Sequence, residues 1–543
     1  MIRRIRNNKV VHGLIAAWLM TWPIAVLHGE TIELQAKTLP SWDSSGQQDK
    51  VIRSMGASVQ TLMWIKQTDQ YISEVTGTDI KGDQFRKSFE RLVEEEPKYQ
   101  CDIPFRGVVQ LGDHSYPYVL DSSDLKTQGL DRLYFDANRN GDLTDDAVCE
   151  AVPQKSESKA LPEGYTIFRR FLPLEVEIKV GGTHYKANIE FESTTSMNVM
   201  TMVKLTNITY REGILTIAGK PHQIFLFDRN CNGRFDDVCE MERPSGSRVS
   251  PRFFGDIFRL RRLGDLVCVD PTLSKDASYY DRIPSARPER QSLSRLLNID
   301  DHYYDVQITP AGDRMTVEPT KSPMGAIVNP SGRYRATIAS DEHGVLDIVG
   351  DKNQPVPIPA GEWQLISYTL YANDVASTQP ASQPTHSSAS RPNTGGQARP
   401  VLPPSVMGSG TNKAEPIIVE PGKTELFPFG PPYRLVVVLH VLQGRTVSLQ
   451  PVLIGMGHEK VFNNSKWHTD PKFKILNEAG EIIEQGSSKE LGGQYSWKLP
   501  EKLEDKYRVQ VELDSAGPFE IDCSQESILK KADLEEQLKR QSR

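Results

Sequence analysis

Apolar residues in most of this chain fall at every second position, in short runs broken by Gly, Asn, Asp and Pro, and this alternation predicts half-buried β-strands. LEVEIKVGGTHYKANIEF predicts a hairpin turning at Gly181-Gly182. RGVVQLGDHSYPYVLD predicts another, turning near Gly112-Asp113, and REGILTIAGKPHQIFLFD a third, turning near Gly219-Lys220. The first and third of these along the chain resemble each other, and each leads into an Asp-rich loop. Residues 101–270 therefore read as a duplicated unit of β-hairpin plus loop, with SSDLKTQGLDR inserted in the first copy. Residues 271–372 continue as strands at sandwich-like spacing, and 416–524 as a second β-sandwich. The predicted fold class is mainly β, built of sandwich and hairpin modules.

Period changes mark the exceptions. Val51, Met55, Val59, Leu62, Met63 and Ile65 fall at helical spacing, as do Phe85, Phe89 and Leu92 before a stop at Pro97. Residues 30–100 thus read as a short helical segment, and SILKKADLEEQLKRQ within 525–543 as a charged terminal helix. Residues 373–415 are rich in Ser, Thr, Pro, Gln and Gly, carry few large apolar side chains, and read as a disordered linker. The first 29 residues have a basic start, an apolar run and a small residue before the expected cut after Gly29, the pattern of a signal peptide. The alternative is an uncleaved anchor, since the run is long enough to cross a bilayer. Either way the protein is expected outside the cytoplasm: periplasmic, on the cell surface or secreted.

Composition narrows the partners. The net charge of −7 and pI near 6.0 argue against nucleic acid, which selects clustered basic surface. Cys101, Cys149, Cys231, Cys239, Cys268 and Cys523 form no CxxC motif, so disulfides are expected in an oxidising compartment, Cys101 with Cys149 first.

The candidate chemistry lies in the repeated loops, FDANRNGDLTDD and FDRNCNGRFDD. Calcium takes six to eight oxygens in a flexible shell, and a loop can supply them from alternate positions if a Gly allows a sharp turn. Counting Asp136 as position 1 places Asn138 at 3, Asn140 at 5, Gly141 at 6, the Asp142 carbonyl at 7, Thr144 at 9, then Asp145 and Asp146. Asp228, Asn230, Asn232, Gly233, the Arg234 carbonyl, Asp236 and Asp237 fill the same places in the second loop. An EF-hand has Glu at position 12 and flanking helices. Here Ala147 and Cys239 stand at 12 and the flanks read as strands, so Asp145 or Asp146, and Asp237, are the expected replacements. Asn at positions 3 and 5 lowers the site charge and predicts weak affinity, on the order of 10⁻⁴ M. Magnesium's rigid octahedron suits such a loop poorly. Metal-free turns select the same residues, but the duplication with following acids favours two structural calcium sites.

With its signal peptide, the FDxNxNGxFxDD-type loops, the IPAGEW strand (Ile358 to Trp363) and the late GGQYSW…GPF segment, the chain resembles the exported multidomain β proteins of planctomycete-type bacteria. The likeness covers about residues 100–370 and 416–520, and its motifs are weak singly and more specific together. It implies all-β modules, calcium-type loops at Asp136, Asn138 and Asn140 and at Asp228, Asn230 and Asn232, and an extracytoplasmic location. It implies no established activity.

No enzyme motif emerges. GHEKVF around Glu459 lacks the second His of a zinc protease, and GxSxG and P-loop patterns are absent from the sequence. Adjacent acids such as Asp145 and Asp146 rarely span a sugar as glycosidase carboxylates do. Trp363, Trp467 and Trp497 are candidates for sugar stacking, although lone tryptophans of β domains usually belong to cores. The leading expectation is a non-enzymatic, calcium-stabilised protein with a structural or adhesive role at the cell envelope, meeting an envelope protein or polysaccharide. A carbohydrate-binding or carbohydrate-acting protein is the alternative. An inhibitor or assembly factor docking through the N-terminal helices is a third.

Overall fold

Alternation becomes strand along most of the chain: Leu174–Val180 buries Val176, Ile178 and Val180 while Glu175, Glu177 and Lys179 face solvent. The computed structural model describes residues 29–40, 52, 60–66, 68–73, 79–123, 129–153, 166–196, 200–241, 260–262, 264–271, 290–371, 405–411, 414–442, 445–462, 471–488, 493–513, 521–522 and 524–541. Residues 1–28 of the expected signal peptide, Val51, Met55 and Val59 of the expected N-terminal helix, Cys523, Trp467 and most of the expected linker lie outside these. The fold is mainly β and overwhelmingly antiparallel, with helices at Gly82–Glu90 and Lys531–Gln541 among the described residues longer than a single position. No helix among the described residues is long and apolar enough to cross a membrane.

The N-terminal region departs from the helical expectation. It supplies strands Glu30–Glu33, Gln35–Thr38, Gln60–Ile65, Gln70–Ser73 and Asp79–Lys81 before the helix Gly82–Glu90. Gln60–Ile65 is an interior strand, paired with Met200–Asn207 on one side and Gln70–Ser73 on the other. Its apolar run is too short for periodicity to separate helix from strand, and partners on both sides decide the outcome. Gly82–Glu90 keeps the predicted face, burying Phe85 and Phe89. It ends before Pro97, because the chain turns after Phe89 to lay Glu94 and Glu95 along the first Asp-rich loop, and Leu92 is left exposed.

The expected domain boundaries are crossed by strand pairing. Glu30–Glu33 pairs with Arg314–Pro319, and Gln35–Thr38 with Thr209–Ile217. Residues 271–372 and 416–524 do not form separate sandwiches: Met324–Val328 runs parallel to Thr424–Leu426, and Gly361–Tyr371 pairs with Ile417–Val419. Ser405–Ser409, inside the expected linker, is a strand between Gly361–Tyr371 and Lys460–Phe462. One hydrophobic core joins these parts, from Leu296 through Trp363, Phe429 and Trp497 to Leu534 on the C-terminal helix.

Candidate metal centre

Each Asp-rich loop leaves the end of a strand. Arg132–Phe135 feeds the first and Lys220–Phe227 the second. Tyr118 lies opposite Phe135, and Tyr210 opposite Phe227, one residue before each leading Asp. The structural counterpart of Thr209–Ile217 is therefore His114–Asp121. This corrects the hairpin alignment: the first copy's hairpin, Phe105–Leu111 with His114–Asp121, is followed by a further strand before its loop, and the inserted segment makes that connection.

The two loops have one conformation. Positions 4 and 6 have left-handed backbone in both: Arg139 (φ 60°) and Gly141 (φ 80°), Cys231 (φ 55°) and Gly233 (φ 77°). The leading carboxylate ties the turn in the same way each time. Asp136 accepts the N–H groups of Asn140 and Gly141 at 3.2 and 3.0 Å, and Asp228 those of Asn232 and Gly233 at 3.2 and 2.8 Å. Asn138 and Asn230 accept the position-5 N–H at 2.9 and 3.1 Å. The tenth position closes the ring. Asp145 accepts the side-chain amides of Asn138 and Asn140 at 3.4 and 2.7 Å, and Asp237 those of Asn230 and Asn232 at 2.8 and 2.6 Å.

The structure thus brings together Asp136, Asn138, Asn140 and Asp145, and Asp228, Asn230, Asn232 and Asp237. Asp146 joins the first loop through the Ala137 N–H at 3.3 Å. The ninth positions are directed elsewhere: Thr144 donates to Asp142 at 2.6 Å, and the Asp236 carboxylate is held by the Arg234 guanidinium at 2.8 and 2.9 Å. The side chains of Thr144 and Asp236 are thus engaged within the loop by Asp142 and Arg234. Among the described residues no group of three or more His, Cys, Asp or Glu is arranged to hold a metal ion. In both loops the amide nitrogens of positions 3 and 5 occupy the space beside the position-10 carboxylate.

Burial separates the loops. Asp136 and Asp228 are both 1% exposed, but Asn138, Asn140 and Asp145 are exposed, whereas Asn230 and Asn232 are half-buried and Asp237 is 8% exposed. Sequence reasoning missed two residues of the second loop. Asp265, fully buried, accepts the N–H groups of Arg229 and Asp237 at 3.0 and 2.9 Å. Asn207 donates its amide to Asp228 at 2.9 Å. Burial pushes the Asp228 carboxyl up to about 7, with the Asn207 and Gly233 donors opposing, and burial with the neighbouring Asp228 and Asp237 pushes Asp265 up further. In the first loop burial pushes Asp146 up to about 6, and its Oδ2 is buried with no hydrogen-bond partner. The orphaned Asp146 oxygen in the first loop fits a bound cation, which would relieve its desolvation.

Other candidates resolve as structure. Glu459 is buried, accepting the Gly430 and Gly457 N–H groups. Trp363 is buried, donates to the Pro359 carbonyl at 2.8 Å and stacks on His343, and Trp497 is buried too. Cys101, Cys149, Cys231 and Cys239 are free thiols. The expected Cys101–Cys149 staple does not form: the Cys101 N–H is tied to Asp121, and strand Arg132–Phe135 lies between Asp121 and Cys149.

No family model and no curated protein matches this chain. Among solved structures, the chain is similar to a DUF3823 family protein from Bacteroides ovatus at 11% identity, over 38% of this chain and 98% of that one, with a TM-score of 0.13. It is also similar to the BSP domain of a biofilm-associated protein at 9% identity, over 83% of this chain and 70% of that one, with a TM-score of 0.12.

Proposed function

We propose that this is a non-enzymatic, exported β protein whose two Asp/Asn/Gly loops bind structural calcium, serving a structural or adhesive role at the cell envelope. The observation that carries the reading is the same loop built twice, with the position-10 carboxylate meeting both Asn side chains. Positions 1, 3, 5 and 10 then offer calcium carboxylate and amide oxygens from one short stretch, and Asp146 adds an oxygen that has no other partner. Calcium would supply only charge and coordination. The chain's own residues hold the turn, through the backbone bonds to Asp136 and Asp228. The carbohydrate reading finds no exposed ring at Trp363 or Trp497.

Calcium titration by calorimetry tests the proposal. Wild type is expected to bind two ions with dissociation constants on the order of 10⁻⁴ M. Asp145→Asn and Asp237→Asn should each remove one of them. Absence of binding heat at millimolar calcium would refute it. Cell fractionation tests the location, and recovery of the chain in the cytoplasm would refute export.

A further inference from the structure

The two loops are alike in conformation and unlike in surroundings. Leu143, at position 8 of the first, packs with Phe89, Val93, Val119 and Tyr134, and its N–H donates to the Glu95 carbonyl at 3.0 Å. The Gly141 carbonyl accepts the N–H groups of Glu94 and Glu95 at 2.7 and 3.1 Å. Beyond its own sheet, the backbone bonds of this loop among the described residues run to that exposed segment.

The second loop sits where sheets meet. The Gly112 N–H, at the hairpin turn of the first copy, donates to the Asn232 carbonyl at 2.6 Å. Tyr185, on strand Thr183–Ser196, donates its hydroxyl to the Gly233 carbonyl at 2.8 Å. The Phe235 N–H donates to the Pro310 carbonyl at 3.0 Å, in the turn between His302–Ile308 and Arg314–Pro319. Phe235 itself is fully buried with Ile32, Leu34, Met315 and Val317. The packing allows little slack. A Cβ on Gly233 would lie 2.9 Å from the Gly112 nitrogen, and one on Gly312 2.6 Å from the Phe235 ring. Three sheets besides its own thus make hydrogen bonds to Asn232, Gly233 and Phe235 of one loop.

Resting on the calcium reading above, we propose that the second loop is a calcium-dependent keystone. Its occupancy fixes the Gly112 turn, strand Thr183–Ser196 and the Pro310 turn to one another, while occupancy of the first loop orders only the segment at Glu94 and Glu95. The geometry supplies separate reporters. The Gly112 and Phe235 amides read the second loop, and the Glu94 and Glu95 amides read the first.

Hydrogen exchange on the full chain, in 1 mM calcium and in EGTA, tests this. With a dissociation constant on the order of 10⁻⁴ M, saturation slows exchange about tenfold at amides whose opening releases the ion. Asp237→Asn should abolish the slowing at Gly112 and Phe235 and keep it at Glu94 and Glu95. Asp145→Asn should do the reverse. Asp237→Asn preserves shape and replaces a carboxylate oxygen beside Asn230 and Asn232 with an amide nitrogen, so the calcium-dependent part of its effect reads the cation. If calorimetry shows calcium bound while Gly112 and Phe235 exchange unchanged, the keystone is overturned and the calcium reading survives. Loss of Gly112 protection in Asp145→Asn would also overturn it. Absence of both binding and protection would remove both. Should Asp237→Asn fail to fold, wild type with and without calcium still decides at Gly112 and Phe235.

Discussion

Replacing Glu459 with Gln sets two effects of similar size against each other, and pH decides between them. Its Oε1 accepts the Gly430 N–H at 2.6 Å and the Tyr368 hydroxyl at 3.3 Å, and Oε2 accepts the Gly457 N–H at 2.9 Å. Burial pushes the carboxyl up from an ordinary 4.5 to about 6. At about 1.4 kcal/mol per tenfold change, keeping it ionised at pH 7.5 costs the fold about 2 kcal/mol. Because the folded-state value is raised, the folded protein holds this proton more tightly than the unfolded chain. That contribution is fully present below about pH 4.5 and is lost as pH rises through about 6. Gln relieves the charge but offers one acceptor oxygen where Glu offers two, and an unsatisfied buried N–H costs about 1–3 kcal/mol. The variant should therefore lie within about 1 kcal/mol of wild type at pH 7.5 and fall about 2 kcal/mol below it at pH 4.5. For a core of this size the latter is a Tm deficit of about 4–8 °C. Calorimetric melts of both proteins across pH 4.5–7.5 measure it. A constant difference, or one largest at pH 7.5, would refute the reasoning.

Gly312→Ala should destabilise by about 2 kcal/mol or more, from overpacking against Phe235 and a left-handed backbone at φ +68°. Urea unfolding would show it, and wild-type stability in the variant would count against the packing described. Asp265→Asn should weaken calcium binding at the second loop, because an amide offers one acceptor oxygen where the carboxylate holds both the Arg229 and Asp237 N–H groups, leaving the first loop unchanged. Calorimetric titration distinguishes the two sites. Soluble polysaccharides should leave the emission of Trp363 and Trp497 unshifted because both rings are buried. A saturable blue shift would instead favour the carbohydrate reading.

The strands were legible wherever one face is buried, because period-two alternation writes that face into the chain, as in Leu174–Val180. Gln60–Ile65 was not: Leu62, Met63 and Ile65 satisfy either period, and only the neighbouring strands choose. Ser405–Ser409 escaped because five residues amid Pro and Ser carry too little pattern to stand out from a linker. Long-range pairing was illegible for a related reason. Which strands pair across long separations, such as Glu30–Glu33 with Arg314–Pro319, depends on edges that no local window contains. In the loops, positions 1, 3, 5, 6 and 10 were readable because turn geometry and alternation fix them within one short stretch. The partners of position 9 were not legible, since Arg234 holds Asp236 and Asp142 holds Thr144 through side-chain bonds that spacing does not reveal. Asp265 lay beyond reach, 28 residues past Asp237 and joined to it only through backbone N–H bonds.

The central claim is that the repeated loops are calcium sites that hold the fold. Thermal unfolding of the chain in millimolar calcium and in EGTA, beside the double variant Asp136→Ala, Asp228→Ala, tests it most directly. A ligand that binds only the folded state must raise its stability, here by about 1–2 kcal/mol per site at tenfold excess over the dissociation constant. The account predicts a calcium-dependent rise in Tm for wild type that the double variant lacks. An identical Tm with and without calcium in wild type would contradict it and leave both loops as metal-free turns.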